Sequence, residues 1–112
     1  MAQCSLSSRT GDSDEILVMA CDVALGAEWE TKRDKYMDRA QPGSQSTHAL
    51  GRYSPQPSGD VGHPSGFVVP LGEVQKASVG KTSVNVNEFI VYDTRQVRMR
   101  YLLRLKINEG DA

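Results

Sequence analysis

The most regular alternation of apolar and polar residues lies in the stretch NEFIVYDTRQVRMRYLLRLKI, Asn87 to Ile107. In its second half Val97, Met99, Tyr101, Leu103, Leu105 and Ile107 fall on one face, and Gln96, Arg98, Arg100, Arg104 and Lys106 on the other. A period of two in branched and aromatic residues predicts a half-buried β-strand. Leu102 is the one apolar residue on the polar side. Before it, Phe89-Ile90-Val91-Tyr92 is unbroken apolar, which predicts a strand covered on both faces. Asp93-Thr94 between the two reads as a bend or bulge. Glu88 stands at the mouth of the apolar run, where a charge is normally avoided.

The same reading covers the rest of the chain. Ile16 to Leu25, ILVMACDVAL, is an apolar run closed by Gly26, and its length and flanks favour a central strand over a buried helix. Asp22 is its one charge. Ala27 to Ala40 places Trp29, Tyr36, Met37 and Ala40 near one helical stripe among charged residues, so a short surface helix is expected there. Glu30–Arg33 supports that helix, Asp34–Asp38 opposes it, and Pro42-Gly43 ends it. Gln41 to Gly66 is rich in proline and serine and reads as a long loop, because Pro55 and Pro57 cannot join a central ladder. Phe67 to Gly72 suits a strand at a sheet margin, and Glu73 to Val86 a loop that leads into Glu88. Residues 1–15 read as a disordered polar lead-in and 108–112 as a tail.

Composition narrows the classes. A chain of 112 residues is one small domain or part of one, with a net stability on the order of 0.1 kcal/mol per residue. The net charge of −1 gives no global attraction to nucleic acid or to an acidic membrane. Cys4 and Cys21 are too few for a secreted disulfide framework and lack a metal-ligand spacing, so a reducing compartment is expected. No apolar run approaches the ~20 residues of a membrane-spanning helix, and the N-terminus has no signal-peptide core. A soluble intracellular chain is the expectation.

The segments Asn87-Glu88-Phe89-Ile90-Val91-Tyr92-Asp93, Gln96-Val97 and Tyr101-Leu102-Leu103-Arg104-Leu105-Lys106 run without a gap. Together they resemble the C-terminal signature of the poly(ADP-ribose) polymerase catalytic domain, in which N-E-[YF]-I-V-Y-D carries the catalytic glutamate. The resemblance is collinear from Ile16 to Ile107. Ile16 to Gly26 is similar to the family's L-L-L-G-E-V-A-L-G strand, with Asp22 where the family has glutamate. Leu50 to Ser58 resembles its G-L-G-[KR]-x-x-P-x-P segment, and Phe67 to Gly72 its V-x-V-P-x-G strand. What the resemblance implies is a partial ADP-ribosyltransferase fold of the α+β class over residues 16–107, the C-terminal half of the domain. That fold would be a mostly antiparallel sheet with one short helix and long loops.

The resemblance also assigns chemistry. Glu88 takes the place of the catalytic glutamate, NAD is the implied substrate, and no metal is implied. Cleaving the nicotinamide–ribose bond builds positive charge on the ribose, as in glycoside hydrolysis. A fixed carboxylate that accepts a hydrogen bond from the ribose 2′-hydroxyl stabilises that charge and can polarise an acceptor hydroxyl. From the residues alone, Glu88 reads first as an ordinary carboxylate at a strand start, paired with a nearby arginine, and it is the resemblance that reverses this order. Val86 departs from the family: several polymerising members carry an aromatic there, so the resemblance does not extend to polymer elongation and leaves poly- and mono-ADP-ribosylation both open. The family's H-G motif, its G-x-Y-F segment and its K-S pair are absent, and neither His48 nor His63 precedes a glycine. Met1 to Ser5 resembles the end of an S-x-x-Y-C stretch, with Gln3 where the nicotinamide-stacking tyrosine would be. The implied partners are the N-terminal half of the domain and protein acceptors of ADP-ribose, and the implied location is the nucleus.

Three other signals were weighed. Gly80-Lys81-Thr82 lacks the earlier glycine of a phosphate-binding loop, with Gln75 in its place. Arg95, Arg98, Arg100, Arg104 and Lys106 form a basic row without interleaved aromatics, which reads as a solvated face rather than a nucleic-acid surface. Cys21 in an apolar strand reads as a small core residue. Two functional classes therefore stand: an ADP-ribosyltransferase part bearing Glu88, or an inert family remnant that serves as an interaction module. Strand edges left unpaired by half a sheet predict that these 112 residues self-associate when expressed alone. A monodisperse monomer in analytical ultracentrifugation would contradict that expectation.

Overall fold

The computed structural model describes residues 3–4 and 15–106. Its strands, in chain order, are β1 (Gln3–Cys4), β2 (Glu15–Val23), β3 (Glu28–Thr31), β4 (Ser46–Ala49) and β5 (Tyr53–Pro55). They continue as β6 (Asp60–Gly62), β7 (Val68–Pro70), β8 (Val74–Lys76), β9 (Glu88–Val91) and β10 (Val97–Lys106). The helical content among the described residues is two short 3₁₀ turns, Pro57–Gly59 and Thr94–Gln96. The fold is therefore rich in strands with almost no helix, and the single expected sheet is instead four small ones. The described chain divides into two compact units, one drawn from its two ends, up to Val23 and from Arg98 onward, the other Ala24–Val97.

In the unit drawn from the ends, the sheet order is β1-β2-β10. The apolar run expected as a central strand is β2, and Cys21 within it is fully buried. Its odd charge has a partner: Arg100 Nε donates to Asp22 Oδ2 at 2.5 Å. Arg104 pairs likewise with Glu15 at 3.3 Å. Part of the expected disordered lead-in is a strand, because β1 pairs antiparallel with β2 through Gln3↔Ala20 and Cys4↔Met19. Glu15, the last residue of that lead-in, opens β2, while residues 1–2 and 5–14, Ile107 and the tail lie outside the described residues. The expected half-burial of β10 is not seen. Beyond Val97 both of its faces are exposed, with Met99 at 70% and Leu102 at 67%. Alternation fixes which side chains share a face, but not what covers that face, and within its sheet β10 has one neighbouring strand.

In the unit Ala24–Val97, β4 is the middle strand of the sheet β3-β4-β9. It runs parallel to β3, with Glu28↔Ser46 and Thr31↔Ala49, and antiparallel to β9, with Ser46↔Val91 and Ala49↔Glu88. Two neighbours bury Ser46, Thr47 and Ala49, although Ser-Thr-His-Ala carries little hydrophobic signal. The long loop expected over Gln41 to Gly66 thus contains a central strand. The helix expected over Ala27 to Ala40 is also corrected. Glu28–Thr31 is a strand whose exposure alternates, with Trp29 and Thr31 turned inward. Gly26 adopts a φ of +57°, open to glycine at little cost, and the Gln45 side chain then accepts the Ala27 N–H at 2.8 Å. This entry sets the following residues in register with β4 as a strand.

The remaining strands form two antiparallel pairs, β5-β8 and β6-β7. The expected margin strand at Phe67 to Gly72 is β7, and the loop expected after Gly72 includes β8. The apolar run before Asp93 is covered on one face, not two: along β9, Phe89 and Val91 are half-buried while Glu88 and Ile90 are exposed.

The expected bend after Tyr92 is the 3₁₀ turn Thr94–Gln96, capped by Asp93. Asp93 Oδ1 accepts the Arg95 N–H at 2.9 Å, and its Oδ2 pairs with Arg95 Nη2 at 2.7 Å. These bonds, the Arg95 side chain first, lower the Asp93 pKa from 3.8 to about 2. A depressed carboxylate stabilises the folded state above its unfolded pKa, and that contribution is lost as pH falls through the folded value. Asp93→Asn is expected to be less stable than wild type at neutral pH, with the difference closing between about pH 4 and 2. Urea unfolding midpoints across that range would measure it, and a gap that stays constant would refute the cap's role.

Candidate functional site

Glu88 opens β9 opposite Ala49. Its side chain is exposed, and no hydrogen bond or ion pair engages its carboxylate among the described residues. Among the described residues no arginine pairs with it. The strand around it is held firmly. Thr47 and Tyr92 share a hydroxyl hydrogen bond at 2.7 Å. The ring of His48 stacks on Phe89 with centroids 4.2 Å apart and 26° between planes. His48 Nδ1 lies 3.1 Å from Glu28 Oε1, which fixes the ring from the other side.

The backbone that enters Glu88 is fastened to the turn after β4. Asn87 Oδ1 accepts the Gly51 N–H at 2.9 Å. Arg52 and Tyr53 donate their N–H groups to the carbonyls of Val84 and Asn85 at 3.1 and 2.8 Å. A Cβ at Gly51 would overlap the backbone of Val86 and Asn87, so the close approach requires glycine. This explains physically why the Leu50-Gly51-Arg52 segment and the Asn87-Glu88 segment occur in one chain: they are two sides of one contact. The Glu88 side chain thus projects from an edge strand whose backbone is held along one side, by β4 and by the turn that follows it. Such a group can accept a hydrogen bond from a ligand hydroxyl without first breaking a protein bond.

The other sequence candidates fall elsewhere. Thr82 of the Gly80-Lys81-Thr82 segment is buried, its hydroxyl directed at the carbonyls of Leu50 and Lys32, so this loop forms no phosphate cradle. Of the basic row, Arg95, Arg100 and Arg104 are paired with Asp93, Asp22 and Glu15. His63 stacks on Phe67 at 4.1 Å and accepts the Ser65 N–H, a loop-forming role. A hollow of about 440 Å³ is lined by Tyr36 to Pro42 alone and does not include Glu88. The residues missed by sequence reasoning are Asn87, Gly51 and Thr82 as the fastening of Glu88. The signal was the glycine in Leu50-Gly51-Arg52.

Comparison with known proteins bears on this site. The family model described as the poly(ADP-ribose) polymerase catalytic domain matches residues 3–107. Poly [ADP-ribose] polymerase 1 of Caenorhabditis elegans is 37% identical over 108 residues, covering 91% of this chain and 11% of that protein. Poly [ADP-ribose] polymerase 2 of Arabidopsis thaliana is 38% identical over 102 residues, covering 90% of this chain and 16% of that protein. Poly [ADP-ribose] polymerase 1 of Xenopus laevis is 41% identical over 92 residues, covering 82% and 9%. The chain spans a small fraction of the length of the relatives it matches.

Proposed function

Because this chain belongs to the poly(ADP-ribose) polymerase catalytic-domain family, we propose that it is the glutamate-bearing part of an NAD-dependent protein ADP-ribosyltransferase. The observation that carries this reading is Glu88: an exposed carboxylate with no partner among the described residues, at the head of a strand tied to β4 and to the turn after it. NAD as substrate supplies an activated ribose, and its bond to nicotinamide breaks with the electron pair leaving on the ring nitrogen of the departing neutral nicotinamide. Glu88 accepts a hydrogen bond from the ribose 2′-hydroxyl and stabilises the positive charge that develops on the ribose. A nucleophile on an acceptor protein then bonds to the anomeric carbon and gives up its proton. Glu88 is placed to orient an acceptor hydroxyl as well. Residues 16–107 form the C-terminal half of the catalytic domain, and the residues that clamp NAD belong to its N-terminal half. Val86, two residues before Glu88, supports transfer of single ADP-ribose units, and the nucleus is the proposed site of action.

Gln3, at the position of the family's nicotinamide-stacking tyrosine, favours a second reading: an inert remnant that serves as an interaction module. One experiment separates the two. The natural full-length protein is incubated with NAD, free nicotinamide is quantified, and the protein is weighed by intact-mass spectrometry. Release of nicotinamide with ADP-ribose added to protein supports the transferase. Intact NAD and unmodified protein support the remnant.

A further inference from the structure

The loop before Glu88 carries a set of bonds that the proposed chemistry does not use. At its base lies Thr82, a hydroxyl residue only 6% exposed. Its Oγ1 donates to the Leu50 carbonyl at 2.7 Å, with the Lys32 carbonyl as a second acceptor at 3.1 Å. The same oxygen accepts the Val84 N–H at 3.4 Å, and the Thr82 carbonyl accepts Arg52 Nη2 at 3.3 Å. From there the two segments run side by side through Arg52 N to Val84 O and Tyr53 N to Asn85 O, with a parallel bridge between Tyr53 and Val86. The last link is Gly51 N to Asn87 Oδ1, one residue before Glu88.

Among the described residues no side chain aims the exposed Glu88 carboxylate. Its direction is set by the backbone that delivers it, and a shift of about 1 Å at a reacting centre can cost on the order of a hundredfold in rate. We propose that Thr82 is a positioning residue for Glu88: its buried hydroxyl fixes the Leu50-Gly51 corner to which Asn87 is tied, and so sets where the carboxylate points. This rests on the reading of Glu88 as the group that stabilises charge on the ribose. It also gives a role to a hydroxyl whose neighbours Gly80 and Lys81 only superficially suggest a phosphate loop.

The test uses the natural full-length protein. Thr82→Val keeps the shape of the side chain and removes the hydroxyl, while Thr82→Ser restores it. Asn87→Ala cuts the last link and leaves Thr82 intact. The expected result is a kcat lowered by about tenfold or more in Thr82→Val and Asn87→Ala, with KM for NAD within about twofold, and near wild-type kcat in Thr82→Ser. Hydrogen exchange at the Gly51 amide should quicken in the two impaired variants. Wild-type kcat in Thr82→Val, or equal impairment in Thr82→Ser, overturns the proposal. If Thr82→Val does not fold, Asn87→Ala decides, and a wild-type kcat there overturns it. Glu88→Gln, measured alongside, keeps the two ideas apart. An active Glu88→Gln means the reading of Glu88 fails, whereas an inactive one beside a normal Thr82→Val and Asn87→Ala means that only the positioning fails.

Discussion

Glu88→Gln is expected to lower the rate of ADP-ribosyl transfer by the full-length protein by about 10²- to 10³-fold, while leaving its folding intact. The two halves of that statement have separate physical origins. The side chain is exposed and engages no described partner, so its replacement by an amide of the same shape should change stability by no more than about 0.5 kcal/mol. The rate falls because the amide carries no charge to set against the cationic ribose. Since that charge develops in the transition state, the loss should appear in kcat, with KM for NAD little changed. Glu88→Asp is informative beside it. It keeps the charge and withdraws it by one methylene, and a loss of similar order would show that placement matters as much as charge. A Glu88→Gln protein that releases nicotinamide at the wild-type rate would remove Glu88 from the chemistry altogether.

The sequence read alone marked Glu88 only as an oddly placed charge, and the family resemblance gave it a role. The structure adds what neither reading supplied, the way its backbone is held. That fastening was illegible because its parts lie far apart in sequence: Asn87 binds a residue 36 positions away. Nothing in the local pattern around Asn87 distinguishes a tether from a turn-forming asparagine.

The fold was legible wherever hydrophobic runs were long. Strands β2 and β9 stand on the apolar runs, and β10 on the alternation, read from the residues, with the expected bend between β9 and β10. It failed where burial comes from neighbours rather than from apolar composition. Ser46–Ala49 is central because a strand lies on each side of it, and small polar side chains fit that position without announcing it. Glu28–Thr31 was obscured by charges at helical spacings, yet its own alternation, with Trp29 and Thr31 inward, was a period of two. The exposure of β10 teaches the complementary point. Its apolar side chains share a face as read, but a periodic sequence does not say what lies on that face.

Gln96 is expected to be the side chain outside the apolar core whose loss most weakens the unit Ala24–Val97. Its Nε2 donates to the carbonyls of Ala24 at 3.0 Å and Gln45 at 2.9 Å. Its Oε1 accepts the N–H groups of Asp93 at 3.1 Å and Tyr92 at 3.3 Å. One amide thus joins the chain leaving β2, the residue before β4, and the turn after β9, and its donors and acceptors are well used. Gln96→Ala leaves four backbone groups short of a partner. Each buried group left unmade costs about 1–3 kcal/mol, but Gln96 is only half-buried and water can replace part of what is lost. A total of about 2–3 kcal/mol is the expected loss, a large part of the roughly 0.1 kcal/mol per residue that holds a small domain together. Gln96→Met separates bonding from packing, because it fills the same space and offers no donor. If the four bonds carry the effect, Gln96→Met should lose nearly as much as Gln96→Ala in urea unfolding. A Gln96→Met protein as stable as wild type would show instead that Gln96 works as a spacer and that its hydrogen bonds contribute nothing net.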